Sequence, residues 1–220
     1  MKKKIYNKAI ILGGSKGLGK SISDELKKSC HNVIPLSSKD IDTSNIESVN
    51  KFIRKYKSTD ILILNTGGPK PMKFKELSEE IWKKYFNQLF LSFCLILNGI
   101  KINNNGYIFY ISSAITKEPK ENLIPSSSLR IGFTSVLKSL SANYSKRGIS
   151  VINLAPGPFK TQRIKELLTD LKKFEKKLPT GKIGNPREIG ILVNSIVQNK
   201  LRYISGSTIY LDGNTLSSLN

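Results

Sequence analysis

Short apolar runs alternate along this chain with longer segments in which apolar residues recur every three or four positions. The short runs are typical of strands buried on both faces of a parallel sheet, and the longer spacing is typical of helices. The short runs predict strands at residues 8–12, 32–36, 60–64, 107–112, 150–154 and 208–211. The longer segments predict helices at residues 20–29, 46–56, 79–101, 127–146 and 186–199. This alternation indicates an α/β fold with a doubly wound parallel sheet of six or seven strands.

We predict one domain over residues 1–220, because neither an internal repeat nor a linker interrupts the pattern. A chain of 220 residues with 39% hydrophobic content can bury a substantial core. The longest apolar run, residues 89–100, is too short to span a bilayer and contains Ser92 and Asn98. We therefore expect a buried helix there and no membrane insertion. The basic N-terminus leads straight into a strand-like run, which is unlike a signal peptide.

Cysteine and histidine are scarce in this chain. Cys30, Cys94 and His31 are too few for a zinc ligand set or a disulfide framework. We therefore expect a cytoplasmic protein without a metal site.

The formal net charge of +20 raises the question of a nucleic-acid partner. The lysines are spread along the chain, however, and do not form one patch with interleaved aromatic residues. We expect a solvated basic surface that favours anionic ligands, and specific nucleic-acid binding is the less favoured alternative.

Residues 12–19, Leu-Gly-Gly-Ser-Lys-Gly-Leu-Gly, join the first predicted strand to the first predicted helix. Glycines at G-x-x-x-G-x-G spacing let the backbone turn tightly and approach a diphosphate, which the N–H groups of the helix N-terminus then face. A plain strand–loop–helix turn is the alternative. The other predicted strands end in loops rich in Gly, Ser, Thr or Asn, at residues 37–42, 65–68, 112–115 and 156–161. Because ligands of such sheets bind beyond the carboxyl ends of the strands, these loops together predict a dinucleotide site.

Through these motifs, nearly the whole chain resembles the short-chain dehydrogenase/reductase family. The glycine loop resembles the family's T-G-x-x-x-G-x-G, with Leu12 in place of Thr. The other resembling segments are Asn65-Thr66-Gly67, Ser112-Ser113, Pro156-Gly157 followed by Thr161, Ser205-Gly206 and Asp212-Gly213. The resemblance implies a Rossmann-like fold that binds a nicotinamide dinucleotide. The cofactor-binding residues predicted in this way are Gly13, Ser15, Lys16, Gly17, Leu18, Gly19, Ser37, Ser38, Lys39, Asp40, Ile41, Asn65, Thr66, Gly67, Pro156, Gly157 and Thr161.

The end of the second predicted strand favours NADP(H) over NAD(H). An acidic residue there would bond the ribose hydroxyls and repel a 2′-phosphate, but this chain has Ser37, Ser38 and Lys39. Lys16, inside the glycine loop, adds a second cation; the alternative is that both lysines only face solvent. Asp40-Ile41 resembles the pair that brackets the adenine, and residue 42 could take that place in a shifted alignment. Because residues 36–46 leave no room for the family's second helix and third strand, we expect a trimmed sheet edge.

The catalytic pattern of the resembling family is mostly replaced. The family uses Asn, Ser, Tyr and Lys, in which the Lys cation lowers the pKa of the Tyr that acts as general acid or base. Ser113 matches the serine, but Ser126 stands in the Tyr position, Arg130 in the Lys position and Leu89 in the Asn position. A serine hydroxyl is a much weaker acid than a phenol, and arginine stays protonated. Ser113, Ser126 and Arg130 therefore predict a cluster that polarises a carbonyl or binds an anion.

Three functions remain open at this point. One is an NADP(H)-dependent oxidoreductase of a small carbonyl or hydroxyl substrate, with altered acid catalysis and an anionic group held by Arg130. The second is a cofactor-binding sensor or assembly subunit without hydride transfer. The third is an ordinary enzyme of the family whose tyrosine comes from a loop or a neighbouring subunit.

Two further expectations concern partners. The predicted helices at residues 79–101 and 127–146 are more apolar than one sheet face requires, and in the resembling family these helices pair across a dimer axis. We expect a homodimer or homotetramer, with ordinary core packing as the alternative. Residues 161–182 are basic and amphipathic and resemble the family's mobile substrate lid, whose charge would attract an acidic substrate.

Overall fold

Six parallel strands form one sheet in a computed structural model that describes residues 4–167 and 170–218. Residues 168–169 of the predicted lid, and the ends of the predicted domain at 1–3 and 219–220, lie outside the described residues. The strands are β1 (Tyr6–Ile11), β2 (Cys30–Pro35), β3 (Ser58–Leu64), β4 (Lys101–Ile111), β5 (Ser150–Pro156) and β6 (Ser207–Leu211). Their order across the sheet is β2-β1-β3-β4-β5-β6, and every neighbouring pair is parallel. The predicted doubly wound α/β fold is confirmed, with six strands.

Helices connect the strands and cover both faces of the sheet. They are α1 (Gly17–Leu26), α2 (Ile46–Lys55), α3 (Glu79–Phe86), α4 (Ser92–Gly99), α5 (Ile124–Ser145), α6 (Gln162–Leu167), α7 (Leu171–Glu175) and α8 (Pro186–Gln198). The side chains of Asn45, Ser78 and Asn185 accept hydrogen bonds from the first turns of α2, α3 and α8, which fixes where those helices begin.

The predicted helix at residues 79–101 runs without a break from Glu79 to Gly99, and a π-helical turn, Asn87–Leu91, lies between α3 and α4. Apolar periodicity predicts this helix but does not distinguish a π turn from α-helix. The strand predicted at residues 107–112 also begins earlier, at Lys101, where polar residues pair through the backbone and the Asn103 amide donates to Asp60 Oδ1 at 2.6 Å.

Two apolar layers hold the sheet between the helices. On one face, Phe52 of α2, Phe93 of α4 and Phe133 of α5 pack on the sheet, and all three are almost fully buried. On the other face, Ile22 of α1 and Val193 of α8 are fully buried against it. Burial of large side chains of this kind contributes roughly 1.5–3 kcal/mol each.

The sheet is trimmed at its β2 edge, as predicted. No described residue between positions 36 and 45 belongs to a helix or strand, and β2 is the outermost strand. The strand order reverses between β1 and its neighbours β2 and β3, which places the ligand crevice of such a fold at the carboxyl end of β1. None of the helices in the described ranges is long and apolar enough to cross a membrane.

Candidate functional site

The glycine loop follows β1, and at three of its positions, Gly13, Gly14 and Gly19, an added Cβ would lie closer than 3.0 Å to a neighbouring atom. A Cβ on Gly19 would lie 2.2 Å from the carbonyl oxygen of Gly13, and a Cβ on Gly13 would lie 2.6 Å from Nδ2 of Asn65. Gly13 and Gly17 also have φ values of 58° and 57°, in the left-handed region that favours glycine. The Asn65 amide donates to the Gly13 carbonyl at 3.3 Å, which ties the loop to the end of β3.

The N-terminus of α1 is open to an anion. Lys16 is the N-cap residue and its side chain makes no capping bond, and the first turn holds no acidic residue. The early N–H groups of α1 therefore need an acceptor, which the helix dipole favours as an anion. Thr161 lies beside this turn, since a Cβ on Gly17 would be 3.4 Å from its methyl carbon. The geometry fits the diphosphate of a dinucleotide, with Ser15 and Lys16 exposed at its rim and Leu18 half-buried behind them.

Pro156 and Gly157 lie at the carboxyl end of β5. Gly157 donates its N–H to the Leu211 carbonyl at 2.9 Å, and a Cβ there would lie 2.8 Å from the Cα of Asp212. The segment that leads to Thr161 is thus fixed against the last strand.

The loop after β2 folds into a polar turn. Asp40 accepts hydrogen bonds from the N–H and the hydroxyl of Ser37 at 2.8 and 2.6 Å, and the hydroxyl bond, followed by the backbone bond, lowers the pKa of the Asp40 carboxyl. Ser38 and Lys39 are exposed, and Ile41 is 4% exposed within the core. Within the described ranges, no carboxylate lies within 4.0 Å of the ammonium group of Lys39 or of Lys16.

The loop after β3 is held by a side chain that sequence analysis missed. Gln88, in the π-helical turn, donates from Nε2 to the Gly67 carbonyl at 2.9 Å and to the Thr66 hydroxyl at 3.5 Å. The Thr66 hydroxyl also lies 3.0 Å from that of Thr43. Leu89, in the family's Asn position, is fully buried. A π turn is frequent at functional sites, but nothing in the residue pattern indicated one here.

The structure brings two of the three predicted catalytic residues together. Arg130 Nε donates to Ser126 Oγ at 3.3 Å, and Arg130 Nη1 donates to the carbonyl of Ile111 at 3.0 Å. Ser113 lies two residues beyond Ile111 and is half-buried, and its hydroxyl accepts from the N–H of Ile115 at 3.4 Å. No hydrogen bond joins Ser113 to Ser126 or Arg130 within the described ranges. The three residues thus lie at the same end of β4 without forming a closed network.

Arg130 is a buried cation with neutral partners. Arg130 is only 5% exposed, and no carboxylate of the described residues lies within 4.0 Å of its guanidinium. Its third nitrogen, Nη2, makes no hydrogen bond to a described residue and points at Gly68, where a Cβ would be 3.8 Å away. A buried charge without a counter-ion is costly, so this nitrogen is suited to an anion or a polarised carbonyl oxygen.

Tyr110 lies behind Arg130 inside the core. Its hydroxyl is buried without a hydrogen-bond partner among the described residues, and its ring packs edge-on against those of Phe93 and Phe133. Burial raises the pKa of Tyr110, while the positive charge of Arg130 acts in the opposite direction. The phenol therefore stays protonated at neutral pH, and it is fully buried.

The described part of the predicted lid contains α6 and α7, and α6 contacts the loop after β3. Arg163 of α6 donates from Nη2 to the carbonyl of Pro69 in the loop after β3. The two ends of the segment are fastened together, because Lys160 donates its N–H to the Gly184 carbonyl at 2.8 Å and Gly184 donates to Pro158 at 3.0 Å.

The C-terminal tail also packs at this end of the molecule. Glu118 Oε1 accepts from the N–H groups of Ser217 and Ser218 at 2.7 and 2.8 Å, and these bonds lower the pKa of the Glu118 carboxyl. Sequence analysis did not assign Glu118 this role. Within the described ranges, no group of three or more His, Cys, Asp or Glu residues could hold a metal ion.

Comparison with known proteins places this site in a family. The family model for enoyl-(acyl carrier protein) reductase matches residues 16–214. Glucose 1-dehydrogenase 2 of Bacillus subtilis is 27% identical over 244 aligned positions, which cover 93% of this chain and 93% of that protein. A 3-oxoacyl-[acyl-carrier-protein] reductase of Buchnera aphidicola is 26% identical over 93% of this chain and 95% of its own length.

Solved structures share the fold. L-Sorbose reductase from Gluconobacter frateurii, complexed with NADPH and L-sorbose, superposes over 100% of both chains with a TM-score of 0.86 and 20% identity. The family model matches nearly all of the chain. The sequence motifs predicted the glycine loop and the parallel sheet that the structure shows. The chain therefore belongs to the short-chain dehydrogenase/reductase family of oxidoreductases.

Proposed function

We propose that the protein is an NADP(H)-dependent oxidoreductase that acts on a small carbonyl or hydroxyl substrate bearing an anionic group, with altered acid catalysis. The observation that carries the proposal is a glycine loop shaped for a dinucleotide beside a buried Arg130 that has no carboxylate partner among the described residues. When bound, NADP(H) supplies the hydride-transfer chemistry.

The loops after β1, β2 and β5 support the cofactor half of the site. The N–H groups of α1 bind the diphosphate, and the lack of an acidic residue at positions 36–39, directly after β2, leaves room for a 2′-phosphate. Lys16 and Lys39, exposed and without carboxylate partners among the described residues, hold that phosphate. Asp40 and Ile41 line the adenine side, and Pro156, Gly157 and Thr161 line the nicotinamide side.

The reactive half of the site polarises the substrate oxygen without a tyrosine. Ser113 holds the oxygen by a hydrogen bond, and the permanently charged guanidinium of Arg130 stabilises negative charge as it develops. Neither group supplies a proton readily at neutral pH, so the proton comes from water or from the substrate. This arrangement differs from an ordinary member of the family in its acid step, and it keeps the hydride step.

Fluorescence titration of NADPH, followed by NADPH oxidation with a panel of small carbonyl compounds with and without carboxylate groups, tests the proposal. We expect binding of NADPH in preference to NADH and turnover with at least one charged carbonyl. Tight NADPH binding without turnover of any member contradicts the proposal and favours a cofactor-binding sensor.

Assembly and location are parts of the proposal that need separate measurements. Phe86 and Ile131 are 41% and 48% exposed on neighbouring helices α3 and α5, and they suit the pairing of helices in a homodimer or homotetramer. The cytoplasmic location stays a prediction.

A further inference from the structure

Side chains from three different elements lie against the segment Gly67–Pro69. Gln88 of the π-helical turn donates to the Gly67 carbonyl at 2.9 Å, and Arg163 of the lid helix α6 donates to the Pro69 carbonyl. Arg130 Nη2 of α5 lies 3.8 Å from where a Cβ on Gly68 would be. This segment is therefore where the end of β3, the helix that holds the reactive arginine and the lid meet.

The two arginines bring positive charge to adjacent residues of that segment. Arg130 is almost fully buried and Arg163 is half-buried. Every hydrogen-bond acceptor that either guanidinium has among the described side chains and backbone is neutral. Guanidinium groups in partly desolvated surroundings bind carboxylates more strongly than neutral acceptors, because the bond is charge-assisted.

We infer that Arg163 is a second substrate-binding residue, and that it and Arg130 together hold a carboxylate of the substrate beside Gly68 and Pro69. The inference rests on the proposed function, which places the reactive substrate oxygen at Ser113 and Arg130. Nη2 of Arg130, which makes no hydrogen bond to a described residue, and the guanidinium of Arg163 can each bind one oxygen of a carboxylate. Because Arg163 belongs to the lid, the same contact fastens the lid over the bound substrate.

A matched pair of ketones isolates the charge. Phenylglyoxylate and methyl phenylglyoxylate differ in the charge of one group, which in both is bonded to the ketone carbon and so lies within reach of the same guanidinium, and phenyl phosphate serves as the phosphate probe. Calorimetric titration of each into the protein saturated with NADP⁺ measures binding without turnover. The variants are Arg163→Ala and Arg163→Lys, with Lys165→Ala as the control, since Lys165 is an exposed cation of the same short helix.

In the native protein we expect the acid to bind at least tenfold more tightly than the ester. Arg163→Ala reduces this ratio about tenfold, Arg163→Lys reduces it less because the charge remains, and Lys165→Ala preserves it. Equal binding of acid and ester, no binding of the acid at millimolar concentration, an unchanged ratio in Arg163→Ala, or tighter binding of phenyl phosphate than of the acid overturns the inference. Turnover is followed separately: a protein that prefers the acid but does not oxidise NADPH contradicts the proposed function alone, and one that reduces acid and ester equally contradicts this inference alone.

Discussion

Replacing Gly19 by alanine tests whether the loop after β1 is a phosphate cradle. The added Cβ would lie 2.2 Å from the Gly13 carbonyl oxygen and 2.9 Å from Nδ2 of Asn65. The Gly13 carbonyl belongs to the backbone and, unlike the amide at the end of the Asn65 side chain, cannot turn away, so the backbone of the loop has to move by about 1 Å to restore ordinary contact. Such a shift misdirects the N–H groups at the start of α1.

The magnitude follows from the bonds at risk. A hydrogen bond from a backbone N–H to a charged phosphate oxygen contributes about 1.5–3 kcal/mol, so the loss of one weakens NADPH binding roughly 10- to 150-fold. The overpacking also destabilises the free protein by about 1–3 kcal/mol, which lowers Tm by roughly 2–4 °C for each kcal/mol in a chain of this size.

The assay is fluorescence titration of NADPH at a temperature well below Tm, with thermal melting of the free protein. Gly132→Ala is the matched control, because a Cβ there meets the Phe90 ring at 3.5 Å, an ordinary contact, in the interior of α5. We expect the control to bind NADPH as the native protein does. If Gly19→Ala binds NADPH within twofold of the native protein, the loop is not the diphosphate site and the reasoning fails.

Three further changes probe other parts of the account. Lys16→Ala should lower the ratio of NADPH to NADH affinity about three- to tenfold, because it removes a charge-assisted contact to the 2′-phosphate. The control is Lys27→Ala, at the other end of α1 and paired with Asp24 at 3.0 Å, which should leave that ratio unchanged. An unchanged ratio in both variants would remove the main support for NADP(H). Glu118 has a folded pKa below its ordinary 4.5, so its contribution to holding the tail is complete above pH 4.5 and is lost as the pH falls through the lowered pKa; the amide proton shifts of Ser217 and Ser218 in NMR spectra should report that release, and shifts that stay constant down to pH 2 would count against it. The double change Phe86→Glu and Ile131→Glu should reduce the mass measured by analytical ultracentrifugation by half or more. The control is Ile5→Glu, which should leave the mass unchanged, since Ile5 is 39% exposed but lies at the start of the sheet. A monomeric native protein would refute the assembly.

The regular elements could be predicted because their residue patterns are local. Residues 61–64 of β3 are an unbroken apolar run, and Asn45 and Asn185 are residues that cap helices at the position where α2 and α8 begin. The glycine loop could also be predicted, because glycines at this spacing between a strand and a helix are typical of a tight turn that approaches a phosphate. The family motifs assign the predicted cofactor-binding residues to the loops after β1, β2, β3 and β5, and their role stays a prediction.

The contacts that define the reactive site depend on tertiary structure and could not be predicted. Gln88, which donates to the Gly67 carbonyl, lies in a π-helical turn, and the residue pattern does not indicate that turn. The contact of Arg163 with Pro69 depends on how the lid packs against the loop after β3. The residue pattern of the lid segment does not predict that packing. Arg130 was identified by its register, but its burial without a carboxylate partner among the described residues became visible only with the fold.

Single-turnover reduction with NADPH that carries deuterium at the nicotinamide C4 tests the central claim most directly, because it follows the hydride itself. The claim is that the intact cradle still serves hydride transfer although Ser126 and Arg130 occupy the positions of the family's Tyr and Lys. The account predicts that deuterium appears on the former carbonyl carbon of a carboxylate-bearing product, detected by mass spectrometry. Saturating NADPH binding with no deuterium transferred to any carbonyl of the panel would contradict it.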